Sequence, residues 1–404
     1  MSHVTHLEAA IDGTVLPHDQ LQTLHADRPL WVRYDLDAIA ATVDRDAIGP
    51  RPPTMWRYRE LLPVEDDANI VTLGEGVTPL LPCKRLGDVL GLNNLWVKDE
   101  SQLPTGSFKA RGLAMAVSKA KELGVERLAI PTAGNAGGAL AAYAARAALE
   151  AWIFMPADTP EVNKAEAANH GAHAFLVDGL INDCAAVVQE GAEEMGWFDV
   201  STLKEPYRIE GKKTMGLELA EQLEWRLPDV ILYPTGGGTG LIGMWKAFAE
   251  LATIGWLEDT ALPRMISAQA AGCAPIATAF EAGERFATPV VDAQTAASGL
   301  RVPAAVGDFM ILDAVRASHG TARAAEEQRL LEWAGRAATL EGISFCPEAG
   351  ACLAVLEDLV AEGSVGADEH VVVFNTGAAQ KYIELITTEL PTIGSPVDWS
   401  LVAG

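Results

Sequence analysis

Lys109 occupies a position in the sequence at which a lysine side chain could react covalently. Lys109 lies in the segment 103–112, between a short apolar strand and an Ala-rich helix. Pro104 and Gly106 stop a helix from running through the turn, and Ser107 is predicted to cap the helix that follows. A lysine held at such a joint inside a pocket can lose its proton and form an imine with a carbonyl compound. Most lysines at helix starts are solvated charges, so the segment needs support from the rest of the chain.

A second turn, residues 131–138, follows a short apolar strand and precedes a helix. The free amides at such a helix start, together with the helix dipole, favour a bound carboxylate. Asn135 in this turn can donate a hydrogen bond to a ring oxygen. The alternative is an Asn-Gly turn whose glycines only let helix and strand pack closely, and this turn alone does not separate the two.

A third turn is rich in glycine and opens another helix. It consists of Gly236, Gly237, Gly238, Thr239 and Gly240. The glycines let the backbone wrap closely around a phosphate, and the threonine adds a hydroxyl. A triphosphate is not implied, because the GK[ST] ending of a P-loop is missing. A dinucleotide fold is the competing interpretation, since Glu258 and Asp259 follow at roughly 20 positions. The turn lies past the middle of the chain, however, which favours a small phosphate monoester.

A fourth turn ends the very apolar strand near Phe374. Thr376 in this turn can offer a neutral hydroxyl to a buried heteroatom, although a polar strand cap explains the turn equally well when it is considered alone. Together the four turns require a ligand with a carbonyl, a ring oxygen, a phosphate and a buried ring nitrogen. Pyridoxal phosphate has all four groups.

The elements that must position these turns alternate between strand and helix. Short apolar runs predict strands at 127–130, 151–155, 230–233 and 371–374. Helical stretches predict helices at 114–123, 139–149 and 214–224. Such alternation predicts parallel sheets flanked by helices, with the turns at the carboxyl edges of the strands, where ligands bind.

Size and composition restrict the class of protein. A chain of 404 residues is too long for one compact core, so two domains are expected. The net charge of -25 argues against nucleic-acid or anionic-membrane partners. Five scattered cysteines without a CxxC pair and eight ungrouped histidines predict no metal and no disulfide framework. No apolar tract or secretory signal is evident, and a cytoplasmic enzyme is expected.

The ordered motifs resemble a known family. The segments 55–58, 73–80 and 210–214 join the turns around Lys109, Asn135, the glycine loop and Thr376 in one order along the chain. This order is similar to that of threonine synthases, which are fold-type II, tryptophan-synthase β-like pyridoxal phosphate enzymes. The resemblance implies two three-layer α/β domains with mostly parallel sheets and the cofactor in the cleft between them. It also implies a homodimer.

Domain bounds follow from the same resemblance. Residues 1–70 are expected to form an N-terminal arm. Residues 71–111 and 206–404 are expected to form the large cofactor-binding domain, and residues 112–205 the small domain that closes on the substrate.

The resemblance also implies roles for individual residues. Lys109 would form the imine with the cofactor and then shuttle protons at the substrate carbons, with Phe108 beside the ring. Asn135 would hold the ring oxygen, Thr376 would face the pyridine nitrogen, and the glycine loop 236–240 would hold the cofactor phosphate. The substrate carboxylate would be bound by the backbone and hydroxyl groups of Thr132, Ala133, Gly134 and Ala136.

Departures from the family pattern leave the substrate open. Leu103 and Ala110 replace polar residues that the family usually carries beside the lysine. The candidate contacts for a substrate phosphate are Arg111 and Lys164, with Arg146 as a further candidate.

Three functions follow from these observations. The first is a threonine synthase-like lyase that converts O-phospho-L-homoserine and water to L-threonine and phosphate. The alternative is a serine/threonine dehydratase or another β-eliminating lyase on the same fold, which needs no phosphate pocket for its substrate. The third is a catalytically silent relative, which the intact lysine and cofactor motifs disfavour.

Overall fold

The computed structural model describes residues 2–386, 390, 392–397, 399 and 402. The strands are β1 (Val4–Ala9), β2 (Val15–Leu16), β3 (Leu30–Tyr34), β4 (Leu80–Pro82), β5 (Leu95–Asp99), β6 (Arg127–Pro131), β7 (Glu150–Pro156), β8 (His173–Val177), β9 (Phe198–Asp199), β10 (Val230–Pro234), β11 (Arg264–Ala270), β12 (Thr321–Ala325) and β13 (Val371–Asn375). The α-helices are α1 (Leu36–Thr42), α2 (Lys84–Leu90), α3 (Lys109–Glu122), α4 (Asn135–Ala147), α5 (Glu161–Asn169), α6 (Ile181–Met195), α7 (Tyr207–Gln222), α8 (Thr239–Thr253), α9 (Pro275–Glu281), α10 (Asp308–Ala317), α11 (Glu327–Glu341) and α12 (Pro347–Ala361). Short 3-10 helices cover Arg45–Ala47, Met55–Leu61, Asp67–Asn69, Glu100–Gln102, Pro104–Gly106, Ser298–Leu300 and Ala379–Leu385.

The larger sheet has six strands in the order β12-β11-β10-β13-β5-β4. Every pair of neighbours is parallel except β4 and β5. Every residue of β10 and β13 is buried, which agrees with their continuous apolar sequences, because helices cover both faces of a parallel sheet. The prediction of an α/β fold with mostly parallel sheets is confirmed.

The smaller sheet is entirely parallel, in the order β8-β7-β6-β9. Its strands come from residues 127–199, whereas those of the larger sheet come from residues 80–99 and 230–375. The chain thus leaves the larger sheet after β5, builds the smaller sheet, and returns at β10. Three of the predicted turns follow strands of the larger sheet (β5, β10 and β13), and the turn 131–138 follows β6 of the smaller one.

The first 70 residues form more regular structure than the sequence suggested. Strands β1, β2 and β3 make an antiparallel sheet in the order β2-β1-β3. The hydroxyl of Tyr34, at the end of β3, donates to the buried carboxylate of Glu210 on α7 at 2.7 Å. The N-terminal segment is therefore tied to a helix of the main body by a buried polar contact.

The helix that carries the lysine begins earlier than its sequence pattern indicated. Helix α3 starts at Lys109 with Phe108 as its N-cap, so the prediction of Ser107 as the cap is wrong. Ser107 is extended and pairs with Gly377 in an isolated antiparallel bridge. The hydroxyl of Ser107 has no hydrogen-bond partner among the described residues, so it does not cap the helix.

Two further findings concern the described part of the chain only. None of its helices combines the length and the apolar character that crossing a bilayer would require. Nor do its His, Cys, Asp and Glu side chains form any group of three or more that would suit a metal ion.

Candidate active site

A cavity of about 240 Å³ lies where the predicted turns meet. It is lined by Phe108 and Lys109, by residues 131–136 and 236–240, and by Thr376. The first residues of α3, α4 and α8 all line it, so three helix N-termini face one space. Their dipoles favour anionic groups there, which offsets the acidic charge of the whole chain.

Lys109 is partly buried and lines this cavity. Its Nζ lies 4.0 Å from the centroid of the Phe108 ring. Burial, reinforced by the positive charge of Arg208, lowers the pKa of Lys109 from 10.5 to about 7, and the charge of Glu348 opposes that shift only in part. A substantial fraction of the amine is therefore neutral near pH 7 and able to attack a carbonyl carbon.

The pKa of Lys109 predicts how cofactor attachment depends on pH. Only the neutral amine attacks an aldehyde, so the attachment rate of the cofactor-free protein should rise about tenfold per pH unit below pH 7 and level off above it. An ordinary lysine with a pKa of 10.5 would give a rate that rises through pH 9. Stopped-flow absorbance after mixing with pyridoxal phosphate measures this rate, and a continued rise above pH 8 would contradict the assignment.

A second lysine lies behind Lys109. Lys212 on α7 is fully buried, its Nζ donates to the carbonyl oxygen of Phe108, and it lies 4.0 Å from the centroid of the same ring. Burial and the nearby charge of Lys109 lower the pKa of Lys212 well below its usual range. Lys212 therefore holds the backbone just before the reactive lysine, and it is absent from the cavity lining.

The glycine loop forms a tight cradle at the start of α8. Gly238, the N-cap, has a φ of +77°, which L side chains rarely adopt. A Cβ at Gly236 would collide with the carbonyl oxygen of Gly299, and one at Gly237 would lie 2.6 Å from a methyl group of Thr202. The loop is closely packed against these neighbours. The amides of the first helical turn have no intrahelical acceptors, so they can bind a phosphate.

The turn before α4 is built for an anion as well. The hydroxyl of Thr132 bridges the turn, accepting from the amide of Gly134 at 3.1 Å and donating to the carbonyl oxygen of Gly134 at 3.0 Å. This leaves the amides of the first turn of α4 pointing to the cavity. Asn135, the first residue of α4, lines the cavity with a buried Oδ1 that has no partner among the described residues.

Thr376 follows β13 directly and also lines the cavity. Its carbonyl oxygen accepts from the amide of Phe108 at 3.0 Å, which ties the lysine segment to the larger sheet. Its hydroxyl is buried and lies 3.8 Å from the Sγ of Cys346, the N-cap of α12. This side of the cavity thus offers a neutral hydroxyl, as the sequence predicted.

These groups fit pyridoxal phosphate. A lysine of lowered pKa matches its aldehyde, the N-terminus of α8 its phosphate, and Thr376 its ring nitrogen. The side chain of Asn135 lines the cavity, where an N–H of its Nδ2 can donate to the ring oxygen. When bound, this cofactor supplies a sink for negative charge at the α carbon of an amino acid.

The predicted contacts for a substrate phosphate lie elsewhere. Arg111 does not line the cavity and is fully buried between the carboxylates of Glu100 and Glu218 at 2.7 and 3.0 Å. Lys164 pairs with Glu161 on α5 and also lies outside the cavity lining. Arg146 is exposed and donates to a backbone carbonyl. The geometry therefore corrects the assignment of these three cations: the charges of Arg111 and Lys164 are paired with carboxylates, and Arg146 lies outside the cavity lining.

Other polar side chains at the cavity were not identified from the sequence. Lys204 and Arg301 line it, paired with Asp199 and Asp158 at 3.3 and 3.0 Å. The only sequence signal for these cations was the proximity of Lys204 to the motif at 210–214.

Two more cavity-lining residues were missed: Glu348 on α12 and Tyr382 in the 3-10 helix 379–385. Nothing in the spacing of either residue pointed to this place.

Comparison with known proteins agrees with the geometry. A family model described as "Pyridoxal-phosphate dependent enzyme" matches residues 71–377, which include all four turns. The structure of maize serine racemase superposes with a TM-score of 0.66 at 22% identity, covering 81% of this chain and 94% of that one. At that identity the likeness shows the fold alone, which is the fold-type II architecture of such enzymes.

Sequence relatives define the family more narrowly. The threonine synthase of Methanosarcina acetivorans is 36% identical over 91% of this chain and 90% of its own length. That of Methanocaldococcus jannaschii is 35% identical over 87% of this chain and 86% of its own length. The chain belongs to the threonine synthase family of pyridoxal-phosphate dependent enzymes, which confirms the family predicted from the motifs.

Proposed function

We propose that this protein is a pyridoxal phosphate-dependent lyase that converts O-phospho-L-homoserine and water to L-threonine and phosphate. The observation that carries the proposal is the cavity itself. It joins a lysine of lowered pKa to two anion-binding helix starts besides the lysine's own helix. One of these, at α8, suits the cofactor phosphate, and the other, at α4, suits the substrate carboxylate. The family membership supports the same reaction.

Different residues of the cavity bind the substrate and transfer its protons. The amides at the start of α4 and the hydroxyl of Thr132 orient the α-carboxylate, which sets the α carbon toward Lys109. The amine of Lys109 then takes the α proton and next a β proton, and it can return protons to carbon later in the reaction. Phosphate leaves from the γ carbon with its bridging oxygen, and water adds at the β carbon. The phosphate that has just left can accept the proton of that water.

The substrate phosphate needs a cation that the fold does not already use. Arg208, near the start of α7, is almost fully buried and uses one nitrogen to donate to the carbonyl oxygen of Val200 at 2.8 Å. Its Nε and Nη2 have no partner among the described residues. A guanidinium with two free, adjacent donors matches a phosphate in a bidentate manner. Arg208 does not itself line the cavity, but its charge acts on Lys109, which does. Because of its two free donors we propose Arg208, together with Lys204 and Arg301 at the cavity wall, for the role first assigned to Arg111 and Lys164.

Replacing Arg208 with glutamine should weaken substrate binding. We expect KM for phosphohomoserine to rise about 100-fold, because a buried charge-assisted pair is lost. The pH at which cofactor attachment levels off should also move up, since Arg208 helps to lower the pKa of Lys109. Steady-state kinetics and the attachment rate measure both effects. Arg146→Gln, an exposed arginine on α4, is the control and should change neither. An unchanged KM in the Arg208 variant would exclude this role.

The proposed reaction is tested by giving the cofactor-loaded protein phosphohomoserine and L-threonine in separate incubations. We expect phosphate and threonine from the first and no keto acid from the second. Keto acid from threonine, without phosphate release from phosphohomoserine, would instead establish the dehydratase alternative. Binding of phosphohomoserine without any product would support the silent relative.

Three predictions from the sequence stay proposals. A cytoplasmic location is supported by five buried cysteines that form no disulfide. A homodimer rests on the family resemblance, and light scattering of the purified protein tests it. The domain bounds 1–70, 71–111 with 206–404, and 112–205 are supported by the separation of the two parallel sheets along the chain.

A further inference from the structure

A chain of hydrogen bonds connects Asn135 to a buried carboxylate at the edge of the cavity. The Nδ2 of Asn135 donates to the hydroxyl oxygen of Tyr382 at 3.3 Å. That hydroxyl in turn donates to the Oε1 of Glu348 at 2.6 Å. All three side chains line the cavity, and each comes from a different element: α4, the 3-10 helix 379–385 and α12.

Glu348, the carboxylate at the end of this series of hydrogen bonds, is held in place by a further contact. The Oε1 of Glu348 also accepts from the amide of Gly299 at 2.8 Å. Glu348 and Tyr382 are each only 4% exposed, so neither side chain can turn to solvent. Burial and the neighbouring charge of Glu348 raise the pKa of Tyr382 well above its usual range, which keeps its hydroxyl protonated and able to donate.

The charge of Glu348 fixes the direction of every bond in the chain. An ionised carboxylate only accepts, so the single hydrogen of Tyr382 must point to Glu348. The oxygen of Tyr382 is then available only as an acceptor toward Asn135, which must present Nδ2 and not Oδ1 on that side. One hydrogen of Nδ2 is used in this contact, and the second is free for a ligand.

We propose that Glu348 and Tyr382 are positioning residues that orient the amide of Asn135 so that it donates an N–H to the ring oxygen of bound pyridoxal phosphate. Without them the amide could rotate by half a turn and place its Oδ1 against that oxygen, where two acceptors repel. The inference concerns the cofactor and not the substrate. A protein that failed to convert phosphohomoserine could still show it, so the two proposals fail separately.

The absorbance of the cofactor bound to Lys109 reports on this contact. A donor to the ring oxygen withdraws charge from it, so that the ring oxygen holds the imine proton less tightly. Loss of the donor should therefore raise the pH at which the visible absorbance titrates, by about one unit. We expect Tyr382→Phe, which removes no charge, to shift this titration upward, as Asn135→Ala should. The ratio of visible to near-ultraviolet absorbance at a fixed pH gives a second reading of the same change.

A double variant separates positioning from general damage. If Tyr382 acts only through Asn135, then Tyr382→Phe should add no shift in the Asn135→Ala background. The control is Tyr143→Phe on the same helix α4. Tyr143 is also a buried tyrosine that donates to a carboxylate, Glu75, at 2.7 Å, but it does not line the cavity. This control should leave both absorbance readings unchanged.

Three results would overturn the proposal. The first is a wild-type titration and band ratio in Tyr382→Phe. The second is an additive shift in the double variant. The third is an equal shift in Tyr143→Phe.

Discussion

Replacing Lys109 with alanine is expected to lower turnover of phosphohomoserine by about 10⁴-fold or more, which is the largest effect on activity that this structure predicts. Lys109 lines the cavity at the start of α3, and its pKa of about 7 provides a neutral amine there. The variant loses both the covalent attachment of the cofactor and the base for the α proton. Steady-state kinetics measure the loss of turnover, and mass spectrometry after borohydride reduction shows whether the cofactor is still attached.

The matched control lies on the same helix. Lys119 on α3 is also buried, but its amine pairs with Glu122 and lies away from the cavity. Lys119→Ala is expected to lower stability while the cofactor remains trapped on Lys109. If borohydride instead located the cofactor on Lys212 in the wild-type protein, the assignment of Lys109 would be wrong.

The largest expected loss of stability follows from Arg111→Met. The guanidinium of Arg111 lies between the carboxylates of Glu100 and Glu218, and all three side chains are almost completely shielded from solvent. Removing the arginine leaves buried negative charge without its partner, which costs about 3–5 kcal/mol. The free energy of unfolding should fall by this amount, and the midpoint of urea denaturation measures the change.

The pH dependence of stability tests the same contact. Burial alone would raise the pKa of Glu218, but Arg111 and Lys98 hold it at about 2, below the ordinary 4.5. The stabilisation is therefore present above pH 4.5 and is lost as the pH falls toward 2. Arg111→Met should show a smaller loss over this window than the wild type. The control, Arg285→Met, breaks an exposed pair with Asp313 and should change stability by about 0.5 kcal/mol or less. A urea midpoint in Arg111→Met as high as in this control would contradict the account.

The sequence predicted the parts of the site that depend on local pattern. The glycine loop and the turns around Lys109 and Asn135 each follow an apolar strand, and parallel strands bring such turns to one edge. Their meeting at one cavity could therefore be expected from the alternation of strands and helices. The residue types then indicated a carbonyl, a ring oxygen and a phosphate.

The sequence did not predict contacts made between distant segments. Arg111, two residues after the reactive lysine, seemed available for a substrate phosphate. Its partner Glu218 comes from α7, more than 100 residues away, and only the fold shows that the charge is already paired. Glu348 and Tyr382 reach the cavity from α12 and the chain beyond β13, and no local pattern marks either residue.

Oxygen transfer tests the proposed reaction most directly. Elimination breaks the bond between the γ carbon and the bridging oxygen, so phosphate keeps all its oxygens, and the hydroxyl of threonine comes from water. In water labelled with ¹⁸O, mass spectrometry should find one label in threonine and none in the phosphate released. Label in the phosphate, with homoserine as the other product, would mean hydrolysis of the phosphate ester and would contradict this account.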